Sequence, residues 1–551
     1  MRGLGWLAAW VWVGCGCPSG PTQDTQPSGL DARDAPGRKG RGPKRADAAV
    51  YVPDPARPVP SGRPNVLLIV WDTVRADHLT PYGYARDTTP ELAKFAAEGR
   101  VWARAVSPGM WTVPSHASLF TGLPESAHGT TAAHQWLDDR FPTLAETLSD
   151  AGWATYLFAA NPHVGDHVNL GQGFERREAP DDAAWRKKAT AATTSKLLPQ
   201  DASNTMGPAY KPGKYAAGRD GDRTKDAGPV AAEAMFAWLD ARPADGRPFF
   251  ATLNYMEAHV PRVPSLSARK ALFTEDEIAA QLAFDQSYGN LLAYTVGLTE
   301  FTPEQQRWIR DVYDASLRDL DASLVPLLDG LRARGILDDT VVILTADHGE
   351  HLGEHHLADH KFSVYNDLVR VPLIVRYPKA VPTGVEAAPV STLDVFATVA
   401  ALTGAPLPEG TISQSLLAPR TETAAFAELV APTTLVFDRM RKVHPDFDSR
   451  PYEHVYTSVE DAGWKCIARG DGKRSLFDLS ADPGEIHDLS AAEAERATAL
   501  CAQIDRWKTT FTAYQGDGAT PTPTLTKAER CRLVQLGYAA EDPNDPCGGA
   551  R

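Results

Sequence analysis

Val66-Leu67-Leu68-Ile69-Val70-Trp71-Asp72 sets six apolar residues in a row and closes them with a carboxylate. Nothing polar alternates inside the run, so both faces of the segment need cover. That is the mark of an interior strand in a parallel sheet flanked by helices. The pattern recurs along the chain. Ala154-Thr155-Tyr156-Leu157-Phe158 leads to Asn161 and His163, and Phe249-Phe250-Ala251-Thr252-Leu253 leads through Asn254 to His259. Val341-Val342-Ile343-Leu344 leads to Asp347-His348, and Val371-Pro372-Leu373-Ile374-Val375 is a further strand candidate. Helical stretches intervene. Over 303–334, Leu317, Leu320, Leu324, Leu327, Leu328 and Leu331 recur at three- and four-residue spacing, and Gly335 stops the helix. The expected fold is α/β: a large, mostly parallel sheet flanked by helices, with a smaller C-terminal α+β subdomain.

In such sheets ligands bind outside the carboxyl ends of the strands. One Asp after a strand is commonly a cap or a turn residue. Four strands that each end on Asp, Asn or His point instead to a metal centre. Asp72, Asp347 and His348 offer oxygen and nitrogen ligands for one divalent ion.

The chain has 551 residues, enough for three to four units at about 150 residues each, although a large α/β enzyme can keep most of that length around one sheet. Hydrophobic residues make up 43% and charged residues 23%, which excludes a wholly disordered or collagen-like chain. The net charge of −14 argues against nucleic-acid binding, and no nucleic acid is expected as a partner. Met1-Arg2, an apolar run over 4–13 and Gly14-Cys15-Gly16-Cys17 resemble a lipoprotein-type signal peptide over 1–17. About ten apolar residues are too few to span a bilayer. Export to the periplasm or outer cell envelope is expected, with a lipid anchor to the membrane at Cys15 or Cys17. Residues 18–62, rich in Pro, Gly, Asp and Ser with a basic knot at Arg38, Lys39, Arg41, Lys44 and Arg45, read as a disordered linker. Cys466, Cys501, Cys531 and Cys547 allow two disulfides in three pairings, and Cys531 and Cys547 bracket a short terminal loop.

Trp111-Thr112-Val113-Pro114-Ser115-His116-Ala117-Ser118-Leu119-Phe120-Thr121-Gly122 resembles the signature of the sulfatase family, within the alkaline phosphatase and sulfatase superfamily. Trp71-Asp72-Thr73-Val74-Arg75-Ala76-Asp77-His78-Leu79 and Asp347-His348-Gly349-Glu350 are similar to that family's two metal-binding strand ends. Further similarity runs through Leu393-Asp394-Val395, Gly463-Trp464-Lys465 and Asp482-Pro483-Gly484-Glu485, covering about residues 64 to 540. The resemblance implies an alkaline phosphatase-like catalytic domain over 63–420 and a C-terminal subdomain over 421–551. It also implies a metal-dependent hydrolase of sulfuric or phosphoric esters. Such esters are anionic, so attack needs a cation to neutralise charge and a nucleophile held in line. Thr112 is that nucleophile and also a metal ligand, attacking in line to form a covalent intermediate. On local sequence its hydroxyl would be a helix N-cap, and Ser115 is the rival nucleophile.

The signature departs from the family's. The usual Cys or Ser is converted to formylglycine, but Thr112 carries a methyl group on the carbon that would become the aldehyde, so no formylglycine is expected. His116 replaces the usual Arg. Thirteen residues beyond Asp347 stands His360 in place of a Lys, as in phosphoethanolamine transferases. His259 resembles the histidine that assists the leaving group, and His259 and His360 are candidates for general acid work or a second metal site. Asn161 stands where a Lys and His pair is usual and could donate to the oxyanion. Thr73 in place of a second Asp removes one carboxylate, which favours Zn²⁺ or Mn²⁺ and leaves Ca²⁺ possible. Of His351, His355 and His356, at least two are expected at the surface or behind the ligands. Residues 176–228, polar with little periodicity, read as a variable loop or lid that sets specificity. Two alternatives stand beside the hydrolase: a phosphoethanolamine-type transferase acting on lipid or glycan, and a non-catalytic surface-binding protein.

Overall fold

The computed structural model describes residues 62–198, 224–420 and 423–516, with single positions at 525, 530 and 533. The expected signal peptide, the linker as far as residue 61, and Cys531 and Cys547 lie outside the described residues.

Eight strands form the large sheet: β1 (Asn65–Trp71), β2 (Arg100–Trp102), β3 (Ala154–Ala159), β4 (Arg176–Glu178), β5 (Phe249–Tyr255), β6 (Thr340–Ala346), β7 (Leu373–Arg376) and β8 (Gly384–Glu386). Their order is β8-β2-β7-β6-β1-β5-β3-β4. All neighbours pair in parallel except β7, which runs antiparallel to both β6 and β2. The four strands with chemical side chains at their ends, β6, β1, β5 and β3, are therefore consecutive neighbours. Trp71 pairs in register with Ala346 on one side and Tyr255 on the other. Asp72 and Asp347 consequently leave the sheet at the same level.

Three local expectations give way to the structure. The run 371–375 is not one strand: Arg370–Val371 joins a separate three-stranded sheet, and β7 starts after Pro372. Proline has no N–H for a ladder, and its position marks the change of sheet. The helix over 303–334 is two helices, α4 (Pro303–Ala322) and α5 (Leu324–Ala333). Pro326 cannot donate to the carbonyl of Ala322, and its ring crowds that carbonyl, so the first helix ends there. Gly335, with φ +67°, follows α5 as expected. The segment 176–228 is not simply a loop. It begins with β4 and continues through α2 (Arg186–Lys196), which packs on α3 (Gly228–Ala241). Trp185, Ala189 and Thr193, four apart, are buried along one side of α2. Residues 199–223 lie outside the described residues.

The small sheet holds β9 (Ala425–Leu429), β10 (Tyr456–Asp461), β11 (Trp464–Arg469) and β12 (Arg474–Asp478), antiparallel in that order. Helix α6 (Ala494–Lys508) covers it through Leu500, Ile504 and Trp507, and Trp507 stacks on Phe426 at 4.5 Å. Lys465 reaches out of this sheet to the Val364 carbonyl (2.7 Å), Asn366 Oδ1 (2.8 Å) and Glu485 (2.8 Å). Both members of that ion pair are buried, and three acceptors satisfy the ammonium. No helix among the described residues is long and apolar enough to cross a membrane.

Cys466 of β11 is bonded to Cys501 of α6 across 35 residues. Closing a loop of that size restricts the unfolded chain by about 3 to 4 kcal/mol. Replacing both cysteines by Ala should lower the subdomain's stability by about that amount, read as an earlier midpoint in chemical denaturation. An unchanged midpoint would mean that the link contributes nothing in solution.

Candidate active site and metal centre

Thr112 is the first residue of α1 (Thr112–Thr121), and the preceding Trp111 is extended with no side-chain cap. The threonine hydroxyl is thus not spent on capping. It is fully buried at the carboxyl edge of the sheet. The helix ends at Gly122, φ +67°, where a Cβ would come within 2.5 Å of Thr411 Oγ1. Ser115, one turn on, makes none of the hydrogen bonds that Thr112 makes, and its hydroxyl sits against Gly109.

Around Thr112 the strand ends close in. His348 Nε2 lies 3.4 Å from Thr112 Oγ1, 3.4 Å from Asp347 Oδ2 and 3.9 Å from Asp72 Oδ1. His348 Nδ1 is 2.9 Å from the Gly349 carbonyl, which can only accept, so Nδ1 carries the proton and Nε2 presents a lone pair. Asp72 Oδ1 and Asp347 Oδ2 accept no hydrogen bond and are buried. A nitrogen lone pair, two carboxylate oxygens and a hydroxyl oxygen face one another, and the Thr112 hydroxyl proton is the only donor the set itself contains. These ligand types and their spacing fit a divalent ion.

The remaining atoms fix these ligands. Asp347 Oδ1 accepts from the backbone N–H of His348 (2.8 Å) and of Thr73 (3.2 Å). Thr73 therefore orients a ligand, although it offers no carboxylate. Asn161 Nδ2 donates to Asp72 Oδ2 at 2.7 Å and approaches Thr112 Oγ1 at 3.3 Å, while its Oδ1 accepts from His163 N at 2.9 Å. It is a turn residue and a site donor at once. His116 Nδ1 donates to the Thr112 carbonyl at 2.9 Å, 3.4 Å from Asp347 Oδ2.

Burial sets the charge states. It pushes Asp72 up to about 6, against the donors Asn161 and Asn254, and pushes Asp347 well above the carboxylate range, with the Asp72 charge adding to the shift. The same burial holds His348 and His259 well below the usual histidine value and takes His116 down to about 4. His360 goes the other way. Burial opposes its charge, but Asp359 (2.8 Å) and Glu350 (3.1 Å) both contact Nδ1 and raise it to about 9. This imidazolium lies 4.5 Å from the His348 ring and 5.1 Å from the His259 ring.

All the sequence-derived candidates, Asp72, Thr112, His116, Asn161, His259, Asp347, His348 and His360, thus fall in one buried cluster. His356 is exposed, and neither His351 nor His355 joins Asp72, Asp347 and His348 at the Thr112 centre. Sequence reading did not assign roles to Glu350, Asp359, Asn254 or Arg262. Glu350 bridges Arg262 (2.8 Å) and His360. Asn254 holds the Asn161 backbone at 2.8 Å. Glu350 and Asn254 stood inside quoted stretches, but nothing local to either says which side chain it meets, and Arg262 stood in none.

The description Sulfatase matches residues 64–405 as a family model, well over half of the chain. The chain belongs to the sulfatase family. Human arylsulfatase A is 28% identical to it over 466 residues, 77% of this chain and 83% of that protein. The choline-sulfatase of Rhizobium meliloti is 25% identical, over 78% and 83%. Among solved structures, the phosphonate monoester hydrolase of Agrobacterium radiobacter superposes with a TM-score of 0.61 at 21% identity, covering 81% of this chain and 95% of its own. The likeness extends to the antiparallel C-terminal sheet. As a sulfatase family member, the chain is a hydrolase of sulfuric or phosphoric esters.

Proposed function

We propose that this sulfatase-family chain hydrolyses phosphorus esters in preference to sulfate esters, through nucleophilic attack by Thr112 and a covalent threonyl intermediate, without formylglycine. The observation that carries the reading is the convergence of the unpaired Asp72 Oδ1 and Asp347 Oδ2 and of His348 Nε2 on the Thr112 hydroxyl. Asp72, Asp347, His348 and Thr112 would hold the metal, with Zn²⁺ or Mn²⁺ favoured. When bound, it neutralises ester charge and lowers the pKa of the hydroxyl.

The chain's own groups account for the rest. Thr112 Oγ1 attacks phosphorus or sulfur, and the ester oxygen departs with its electron pair. Asn161 donates toward the transferring group, and the start of α1 favours its negative charge. His360, anchored through Nδ1 by Asp359 and Glu350, has Nε2–H left to protonate the leaving oxygen. Water then attacks the threonyl ester at phosphorus or sulfur. Threonine has no hydrate from which the group could be expelled by cleavage of its own C–O bond. A phosphothreonine hydrolysed at phosphorus meets that requirement, and cationic His360 suits the higher charge of a phosphate. A cleft of about 220 Å³ beside Asn161, lined by Pro162, His167, Arg177 and Asp182, offers room for the organic part. We place the enzyme in the periplasm or outer envelope, anchored through lipidated Cys15 or Cys17; the Cys466–Cys501 disulfide supports an oxidising compartment.

The test is a panel of aryl phosphate, aryl phosphate diester, phosphonate monoester and aryl sulfate with graded leaving groups. Phosphorus esters should turn over faster than sulfate. His360→Gln should cost about a hundredfold for poor leaving groups and much less for good ones. A uniform loss across leaving groups would remove the acid role, and sulfate preferred over all phosphorus esters would remove the phosphorus assignment.

A further inference from the structure

We propose that His351, His355 and Asp367 form a second cation site, of zinc type, that fastens the loop carrying His360. Asp367 gives one carboxylate oxygen to Arg75 at 2.7 Å. Its other oxygen, Oδ2, faces two imidazoles: His351 Nδ1 at 3.4 Å and His355 Nε2 at 3.5 Å. Neither nitrogen has a hydrogen-bond partner other than this carboxylate, and both are shielded from solvent. His351 is 1% exposed, and its other nitrogen, Nε2, is tied to Ser363 Oγ at 2.8 Å. In the tautomer whose Nε2–H donates to that hydroxyl, Nδ1 presents a lone pair to a carboxylate; in the other, Ser363 donates and Nδ1–H points at Asp367 Oδ2. A bound cation requires the first. Two acceptors at that distance repel unless a cation stands between them.

The two separations from Asp367 Oδ2 are compatible with a zinc-sized ion. A tetrahedron of metal bonds of about 2.0–2.1 Å has edges of about 3.3–3.4 Å, close to both measured separations. Two imidazoles and a carboxylate select zinc over magnesium or calcium, which want oxygen cages. Glu354 lies within 4.8 Å of the His351 and Asp367 ligand atoms, near enough to close the shell directly or through water. The surroundings have the form of a supporting shell: Ser363 fixes one imidazole, Tyr365 stacks flat on the His355 ring at 3.7 Å, and Arg75 fixes the carboxylate. Arg75 is one cation among Asp77, Glu354 and Asp367, so the local balance is negative.

None of these ligands belongs to the Thr112 centre. Glu350 and His351 are adjacent, yet Glu350 binds His360 and Arg262 while His351 turns to Ser363 and Asp367. The ligands lie on either side of Asp359-His360-Lys361. The segment 351–367 contains His355, His356, Asp359 and Phe362 in left-handed conformations, which non-glycine residues adopt at a cost. A zinc ion joining His351, His355 and Asp367 would hold the loop and keep His360 beside His348 and His259.

The experiment uses the full chain, stripped with chelator, reloaded with Zn²⁺ and desalted, with metal per chain measured by mass spectrometry. Wild type should keep about two zinc ions, and His355→Phe, which preserves the stacking on Tyr365, about one. His351→Gln, which can still reach Ser363, should match it if His355→Phe does not fold. Asp347→Asn should also keep about one, and its Co²⁺ form should show a tetrahedral ligand-field spectrum that is lost when His355→Phe is added. Wild-type zinc content in both histidine variants would overturn the second site. So would loss of all zinc on Asp347→Asn alone.

Discussion

Thr112→Ala is expected to lower turnover at least a thousandfold, roughly the scale set by removing a covalent nucleophile, while leaving the protein folded. The two halves of that expectation rest on different observations. The loss follows because Oγ1 is the one atom 3.4 Å from His348 Nε2 and 3.3 Å from Asn161 Nδ2 that can be a nucleophile. The intact fold follows because the hydroxyl caps nothing: Trp111 holds the N-cap position of α1, and the His116 contact is with the Thr112 backbone carbonyl, which alanine retains. Thermal unfolding should therefore move little. Thr112→Ser keeps the hydroxyl and should keep most of the rate. A rapid quench of wild type with a good leaving group should trap one phosphoryl group on the peptide containing Thr112. Full activity in Thr112→Ala would sink the assignment, and Ser115 would be next to test.

What the sequence disclosed depended on whether the signal was local. The unbroken run of β1 announced a strand buried on both faces, and its register with β5 and β6 brought Asp72 and Asp347 level, as four similar strand ends had implied. Thr112, His116, Asn161, His259 and His360 were legible because each follows a strand or sits in a quoted motif. Lys465 and Glu485 also lay in quoted motifs, but nothing local says that they pair with each other. Glu350 and Asp359 were silent for the same reason: their effect on His360 is a relation between side chains that only folding creates. Helix α2 escaped because its buried stripe is small and polar, Ala189 and Thr193 with a single Trp185, which hydrophobic periodicity cannot register. Pro326 and Pro372, by contrast, were visible breakers passed over in favour of the apolar pattern around them.

Removing the metal should abolish turnover and leave a protein whose response to added Zn²⁺ depends on pH in a fixed direction. Burial raises Asp72 to about 6 and Asp347 well above the usual carboxylate range, so in the metal-free protein both hold protons to higher pH than free carboxyls do. Those protons must leave before the carboxylates can coordinate. Affinity should fall about tenfold per pH unit for each displaced proton as the solution is acidified below those values. The stability of the metal-free protein runs the opposite way. A carboxyl whose folded pKa lies above its unfolded value contributes most below the unfolded pKa, near 3.8, and loses that contribution as pH rises through about 6. Metal-free protein should accordingly be weakest at pH 8 relative to pH 5, and Zn²⁺ should raise the melting temperature more at pH 8. Asp347→Asn sharpens the test, since it keeps the side chain's shape and removes the buried charge. The variant's metal-free form should melt higher than metal-free wild type at pH 8 and gain less from Zn²⁺. A melting gain from Zn²⁺ that grew toward acid pH would contradict the assignment of Asp72 and Asp347 as ligands, because protons and metal would then not be competing for the same oxygens.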